Sequence, residues 1–394
     1  MPTVENEILM EYNPFEPKVF EPEPSLDELG AGALEKYQFF FRDAVGDINL
    51  IYAADPRFIS KLHRIVKLLV ANEEQLFRVV QRKGGYFTIA SESLGLALAS
   101  IFEADFDLIR REYPMHRFSP CFEIFENTRF KFGHEVLKGC YTRPRADRVV
   151  KSLNKRVKAL RRRLRCSKVV EGYSNFRRSP VENFNGLMEC MERVVDVDPR
   201  QLILRFDCHY RVSGVDLSVK DIQADIEELP KVQKCRQRFH RSIDRKLGAS
   251  LRGFAFCLEY GQHRRWHYHY LLFIRPGYAD DDVALVESLR ETWQEVTGGA
   301  GELYNVNAQK KRRRFRAVGF VDARDEDVRV GLRAIASYFT LAGLFVQLKL
   351  PRRVKTFGKG RFPVPQAKRG RPPKRMTPRL RISLAEAREQ IRFI

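Results

Sequence analysis

GFAFCLEYGQHRRWHYHYLLFI, residues 253–274, is the stretch whose reading decides the fold. Its two outer runs, GFAFCLEY and WHYHYLLFI, are rich in aromatic and branched residues, and the short connector GQHRR joins them. That pattern predicts two antiparallel strands closed as a hairpin. In a strand, residues i and i+2 share a face and lie roughly 6.6 Å apart along the chain. His267 and His269 therefore point the same way, as two imidazoles gripping one ion would. The hairpin also brings Glu259 of the first strand beside them. Two histidines and a carboxylate with open positions suit a Mg²⁺- or Mn²⁺-like ion able to hold a phosphate oxygen. A His-x-His pair also arises by chance on surface strands, so the flanking sequence has to add weight.

Upstream, QLILRFDCHYRV (201–212) is a further strand. Arg205, Asp207, His209 and Arg211 alternate there with Leu204, Phe206, Cys208 and Tyr210, giving one charged face and one apolar face. The charged face admits two readings. It is plain solvent exposure, or it is the floor of a phosphate-binding cleft in which Asp207 or His209 orients or joins the metal site. A helix-like stretch, PKVQKCRQRFHRSIDRKL, separates this strand from the hairpin. Downstream come a helix (DDVALVESLRETWQEVTG), a basic strand-like segment (RRRFRAVGFV) and a helix (VGLRAIASYFTLAGLFVQL, 330–348). Strands and helices in this order predict an α+β fold, an antiparallel sheet with flanking helices. Tyr338 lies on the last helix. A tyrosine on an apolar helix is commonly a core residue with a satisfied hydroxyl. Beside a metal it can instead be a nucleophile, because a cation polarising the scissile phosphate makes attack by a phenol feasible. The product is a phosphotyrosine ester and a free 3′-hydroxyl.

This order of strand, helix, hairpin bearing His-hydrophobic-His and helix bearing Tyr resembles the HUH endonuclease superfamily of rolling-circle initiators and relaxases. More closely, RFDCHY, HYHYLLF after Glu259, and SYFTLAGLFVQLKLPRRVKTFGKGR resemble the replication-initiation family of filamentous phages and related prophage proteins. The likeness covers about residues 198–362. It implies a site-specific DNA nickase with His267, His269 and Glu259 as metal ligands and Tyr338 as nucleophile. It also implies an origin hairpin or single strand as substrate, host replication proteins as further partners, and a phage or other mobile element as the source. One departure stands out: these proteins often carry a lysine about three residues after the tyrosine, and here that position is Leu341. Ala342 occupies the place of a second catalytic tyrosine. A single-tyrosine enzyme results, with its phosphate clamp sought among Lys349, Arg352 and Arg353, and with Lys355 as a further basic contact.

The rest of the chain fits a DNA-working protein. Among 394 residues, Lys and Arg outnumber Asp and Glu by 71 to 50, a formal charge of +21 that calls for a polyanion. The sequence divides into an acidic, loose leader (1–33), a mainly helical domain (34–195), the HUH-like domain (196–362) and a basic tail (363–394). In the helical domain, SESLGLALASIFEADFDLIRREY (91–113) reads as one helix. RADRVVKSLNKRVKALRRRLR reads as another, with Val149, Leu153, Val157, Leu160 and Leu164 on one face and cations on the other. That basic face is either simply solvated or a DNA-backbone contact. In the tail, Lys368, Arg369, Gly370, Arg371, Lys374 and Arg375 surround an Arg-Gly-Arg-Pro core that resembles an AT-hook, which binds the narrow A·T minor groove. No apolar run approaches the roughly 20 residues of a spanning helix, the N-terminus reads as no secretory signal, and seven scattered cysteines fit neither a disulfide framework nor a zinc site. The expectation is a cytoplasmic protein without a membrane partner. A non-catalytic DNA-binding regulator descended from an initiator, or a relaxase or transposase of the same superfamily, are the competing readings.

Overall fold

The computed structural model describes residues 25–34, 41–42, 48–49, 56–128, 131–210, 222–261, 265–312, 317–351 and 354–362. The described chain opens on a reciprocal cap. The Glu28 carboxylate accepts from Ser25 N at 2.8 Å, and Ser25 Oγ accepts from Glu28 N at 3.3 Å. Ser-x-x-Glu is a helix-start pattern, and α1 (Leu26–Leu34) follows from it. The end of the expected loose leader is therefore helical, because Leu26 and Ala33 are buried, and α1 packs on the helix carrying Tyr338. The described residues form two compact units, one within 36–183 together with 341–354, the other within 184–340 together with 25–35 and 355–362.

The first unit is mainly helical. The short strands β1 (Phe41–Arg42) and β2 (Ile48–Asn49) pair, and α2 (Pro56–Ala71) follows. β3 (Phe77–Gln81) and β4 (Phe87–Ser91) then form a hairpin that the helical reading of this region missed. Its turn uses Gly84 and Gly85 at φ of 98° and 80°, a conformation that side-chain-bearing residues resist. The single helix expected over 91–113 is two, α3 (Ser93–Phe102) and α4 (Phe106–Glu112). The break has a local cause: the Asp105 side chain accepts from Leu108 N, so it caps a fresh start. Next are β5 (His116–Phe118), α5 (Pro120–Glu126), α6 (His134–Lys138), α7 (Arg143–Leu164) and α8 (Ser167–Val197). On α7, Leu153, Val157, Leu160 and Leu164 are buried and Val149 is half-buried. Arg148, Lys151, Lys155, Lys158 and Arg162 lie exposed, spaced alternately by three and four residues along one stripe.

The second unit is an antiparallel sheet with helices. It contains β6 (Arg200–Tyr210), α9 (Ile222–Leu247), β7 (Leu251–Gly261), β8 (Arg265–Ile274), α10 (Asp282–Thr297), β9 (Gly301–Asn305), β10 (Gly319–Asp322) and α11 (Glu326–Thr340). The chain then gives β11 (Val346–Leu348), which pairs with β5 in the first unit, and returns for β12 (Phe357–Gly360). Strand order is β10-β6-β8-β7-β12, with β9 also paired to β6. The fold class is α+β. One sheet face is an aromatic core: Phe206 stacks on Tyr270 at 5.3 Å, and Phe239 of α9 meets Tyr270 at 5.5 Å and Trp293 of α10 at 5.2 Å. The helix expected over 330–348 stops at Thr340 and gives way to a 3-10 turn (Leu341–Leu344) and β11. An apolar run such as LAGLF suits helix and buried strand alike, so periodicity could not mark this end. Among the described residues no helix is long and apolar enough to cross a membrane, and none of the seven cysteines is in a disulfide.

Candidate metal centre and nucleophile

Sheet register assembles the site. His267 of β8 lies opposite His209 of β6 on one side and Glu259 of β7 on the other. One row along, His269 lies between Asp207 and Cys257. Side chains of a strand alternate faces, so these six share the face opposite the aromatic core. Arg205 and Asp207 are buried, so plain solvent exposure is not what their polar pattern records.

Glu259, His267 and His269 each offer a ligand atom, and these atoms lie within 4.8 Å of one another. Their donor chemistry fits a cation. His267 Nδ1 donates to Arg265 O at 3.0 Å, and a carbonyl can only accept, so Nε2 keeps its lone pair. His269 Nδ1 meets Asp207 Oδ1 at 2.5 Å, and its Nε2 meets Glu259 Oε2 at 3.0 Å. His267 Nε2 is 3.6 Å from the same Glu259 oxygen. Imidazoles oriented through Nδ1 by a carbonyl and a carboxylate, each presenting Nε2, are the arrangement that supports metal ligation. His209 is half-buried and stacks on His267 with centroids 5.4 Å apart.

The charges are interlocked. Burial disfavours the His269 imidazolium, yet Asp207 and Glu259 outweigh it and raise its pKa above the ordinary value. Burial likewise opposes ionisation of Asp207, and His269, Arg205 and His209 overcome this, holding the carboxyl below its usual range. His267 goes the other way, since burial lowers its pKa more than Glu259 raises it.

α11 brings Tyr338 to this face. Its hydroxyl is 3.5 Å from His269 Nε2, and the two rings meet edge to face at 5.1 Å. Burial pushes the phenol well above its usual pKa, and Glu259 and Asp207 add to this while Arg205 opposes it. The Arg205 guanidinium carbon sits 4.3 Å from the Tyr338 ring centroid.

The candidate ligands Glu259, His267 and His269, the candidate nucleophile Tyr338 and the neighbouring Asp207, His209 and Arg205 therefore converge. The basic candidates do not form a described cluster with them. Lys355 is exposed in the sheet unit, and Lys349 is exposed in the helical unit. Arg352 and Arg353, and the tail residues Lys368, Arg369, Gly370, Arg371, Lys374 and Arg375, lie outside the described residues, as does the short terminal helix expected after them. Leu341 is fully buried and follows the end of α11 rather than continuing its face.

Sequence reasoning missed two supports. Asn307 lies just past β9, at the stretch of β6 whose edge away from β8 has no strand partner between its pairings with β10 and β9. Its side chain fills that gap, accepting from Arg205 N at 2.8 Å and donating to Ile203 O at 3.0 Å. Asp225 of α9 accepts from Tyr260 at 2.5 Å and from the buried Arg265 guanidinium, and its carbonyl accepts from Trp266 Nε1 at 2.7 Å. It thereby anchors the hairpin end whose Arg265 carbonyl orients His267. A lone Asn or Asp carries no spacing signal, so neither contact could be read from local pattern.

Comparison with family models, characterised proteins and solved structures returns no match for this chain.

Proposed function

We propose that the sheet unit is an HUH-type endonuclease that nicks one DNA strand through Tyr338, as an initiator of rolling-circle replication does. The observation that carries this reading is the Tyr338 hydroxyl 3.5 Å from His269 Nε2, within a buried Glu259, His267 and His269 group. A phenol beside a ligand-competent imidazole is what tyrosine attack on a phosphodiester needs. Glu259, His267 and His269 would hold Mg²⁺ or Mn²⁺, which supplies positive charge to the scissile phosphate. The chain's residues do the rest. Asp207 and the Arg265 carbonyl fix the two imidazoles. α11 aims the phenol, and the aromatic core on the other face keeps the strands in register. Tyr338 Oη bonds to phosphorus as the bond to the 3′-oxygen breaks. The phenol gives up its proton, the 3′-oxygen gains one, and a 5′-phosphotyrosine and a free 3′-hydroxyl result.

The test uses supercoiled DNA carrying the cognate origin, with Mn²⁺ or with EDTA, on denaturing gels. Wild type is expected to give open circles and a covalent protein–DNA adduct only with Mn²⁺. Tyr338→Phe should lose nicking by at least about a thousandfold, as expected when a chemical nucleophile is removed, while still binding Mn²⁺. The pair His267→Ala/His269→Ala should lose both. Salt-sensitive binding without nicking by wild type would leave the non-catalytic regulator as the reading.

A further inference from the structure

Arg205 is a buried cation that attracts Asp207 and still has a donor to fill. Its side chain is 5% exposed, and its Nε is covered and donates to no acceptor among the described residues. Asp207, two positions along, is taken up by His269. Burying a guanidinium with an unfilled donor is costly, and such a group persists where a ligand completes it. The backbone around it is fixed: Asn307 bonds Arg205 N and Ile203 O, and Asn307 Nδ2 also donates to the buried Asp282 carboxylate at 2.7 Å. Arg205 is therefore held in place by its surroundings while its Nε is left to be filled.

We propose that Arg205 binds a non-bridging oxygen of the phosphodiester presented to Tyr338. A planar guanidinium matches a tetrahedral phosphate with parallel donors, which a lysine cannot do. The placement fits, because the Tyr338 ring has His269 at 5.1 Å and the Arg205 guanidinium over it at 4.3 Å. A phosphate reached by the Tyr338 hydroxyl lies beside both the ligand group and this fork. The stacking also gives Arg205 a second role: it steadies the ring it serves. This inference rests on the reading of the site as one that cleaves a phosphodiester.

Inorganic phosphate is the probe, added to the full-length protein in EDTA and compared with chloride at equal ionic strength. Phosphate at tenfold its Kd should raise the wild-type Tm by roughly 2–4 °C. Arg205→Met should lose that rise, read for each variant as the difference between its Tm in phosphate and in chloride. Arg205→Lys covers the case in which the methionine variant does not fold; its phosphate Kd should weaken by about tenfold, the worth of one charge-assisted bond. An equal phosphate rise in Arg205→Met, or an unchanged Kd in Arg205→Lys, overturns the proposal. A drop in the chloride Tm of Arg205→Met with the phosphate rise intact assigns Arg205 to holding the ring alone, and overturns it too. Origin nicking is run alongside. Wild type that fails to nick while phosphate binding still depends on Arg205 sinks the endonuclease reading and leaves the anion site. Nicking intact in Arg205→Met, with the phosphate rise unchanged, sinks the Arg205 inference alone.

Discussion

At the scale of single residues, the centre turns on one proton. In the metal-free protein His269 bridges two carboxylates, Asp207 at Nδ1 and Glu259 at Nε2. Each can accept from one N–H of the imidazolium and so favours the charged form, which is why its pKa is raised despite burial. The Nε2 lone pair can serve that proton or a cation, never both, so ion binding must displace it. Below the raised pKa the site is occupied by the proton, and above it the lone pair is open. Mn²⁺ affinity should therefore weaken as pH falls through the raised His269 pKa, with about one proton released per ion bound, and level off at higher pH. Titrations from roughly pH 5.5 to 8.5, across the range in which imidazoles change charge, measure this. A flat affinity over that span would mean that His269 Nε2 is not a ligand. That His267, His269 and Glu259 share a face was legible in the sequence because alternation along a strand and a short connector fix it, whereas Tyr338 was singled out by the order of elements in the resemblance. What Asp207 and Arg205 do there was not, since burial of a polar strand face depends on α11, which arrives more than a hundred residues later.

At the scale of elements, Asn307 shows how a side chain can stand in for a strand. β6 pairs with β10 over Arg200–Ile203 and with β9 over Phe206–Tyr210, and the Asn307 amide bonds the backbone between them. Asn307→Ala leaves a buried N–H and a buried C=O without partners, a loss of about 1–3 kcal/mol for each group left unsatisfied. Denaturant unfolding should report a cost of roughly 2–6 kcal/mol for the two groups together, along with weaker phosphate binding, because the strand carrying Arg205 is loosened. A variant as stable as wild type would show that the gap closes by other means. The hairpin β7–β8 and helices α9 and α10 followed from local pattern. The hairpin β3–β4 and helix α1 could have: RKGGY is a turn signal between branched runs, and SLDE is a capping box. β12 could not, for a Phe-Gly-Lys-Gly strand has no propensity of its own and takes its conformation from pairing with β7.

At the scale of the molecule, +21 of formal charge needs a home. Part of it lies on α7, where Arg148, Lys151, Lys155, Lys158 and Arg162 form an exposed stripe over a buried apolar face. If the stripe tracks a duplex backbone, each phosphate contact contributes about 0.9 to the slope of log K against log salt. Replacing Lys151, Lys155 and Lys158 with alanine should then weaken binding to a random-sequence duplex and flatten that slope by up to about 2.7, with no change in Tm. An unchanged slope would return the stripe to being a solvated face. The two sides of the sheet, finally, set different rules for how this gene can drift. Along β8, Trp266, Tyr268 and Tyr270 pack into the aromatic core, while His267 and His269 face Glu259, Asp207 and Tyr338. If Tyr338 cleaves DNA as proposed, homologues under selection for that activity should exchange large side chains at 266, 268 and 270 and keep His267 and His269, a stripe of variation with period two. Once selection for cleavage lapses, the odd positions should drift first, and the stripe would invert before the fold is lost.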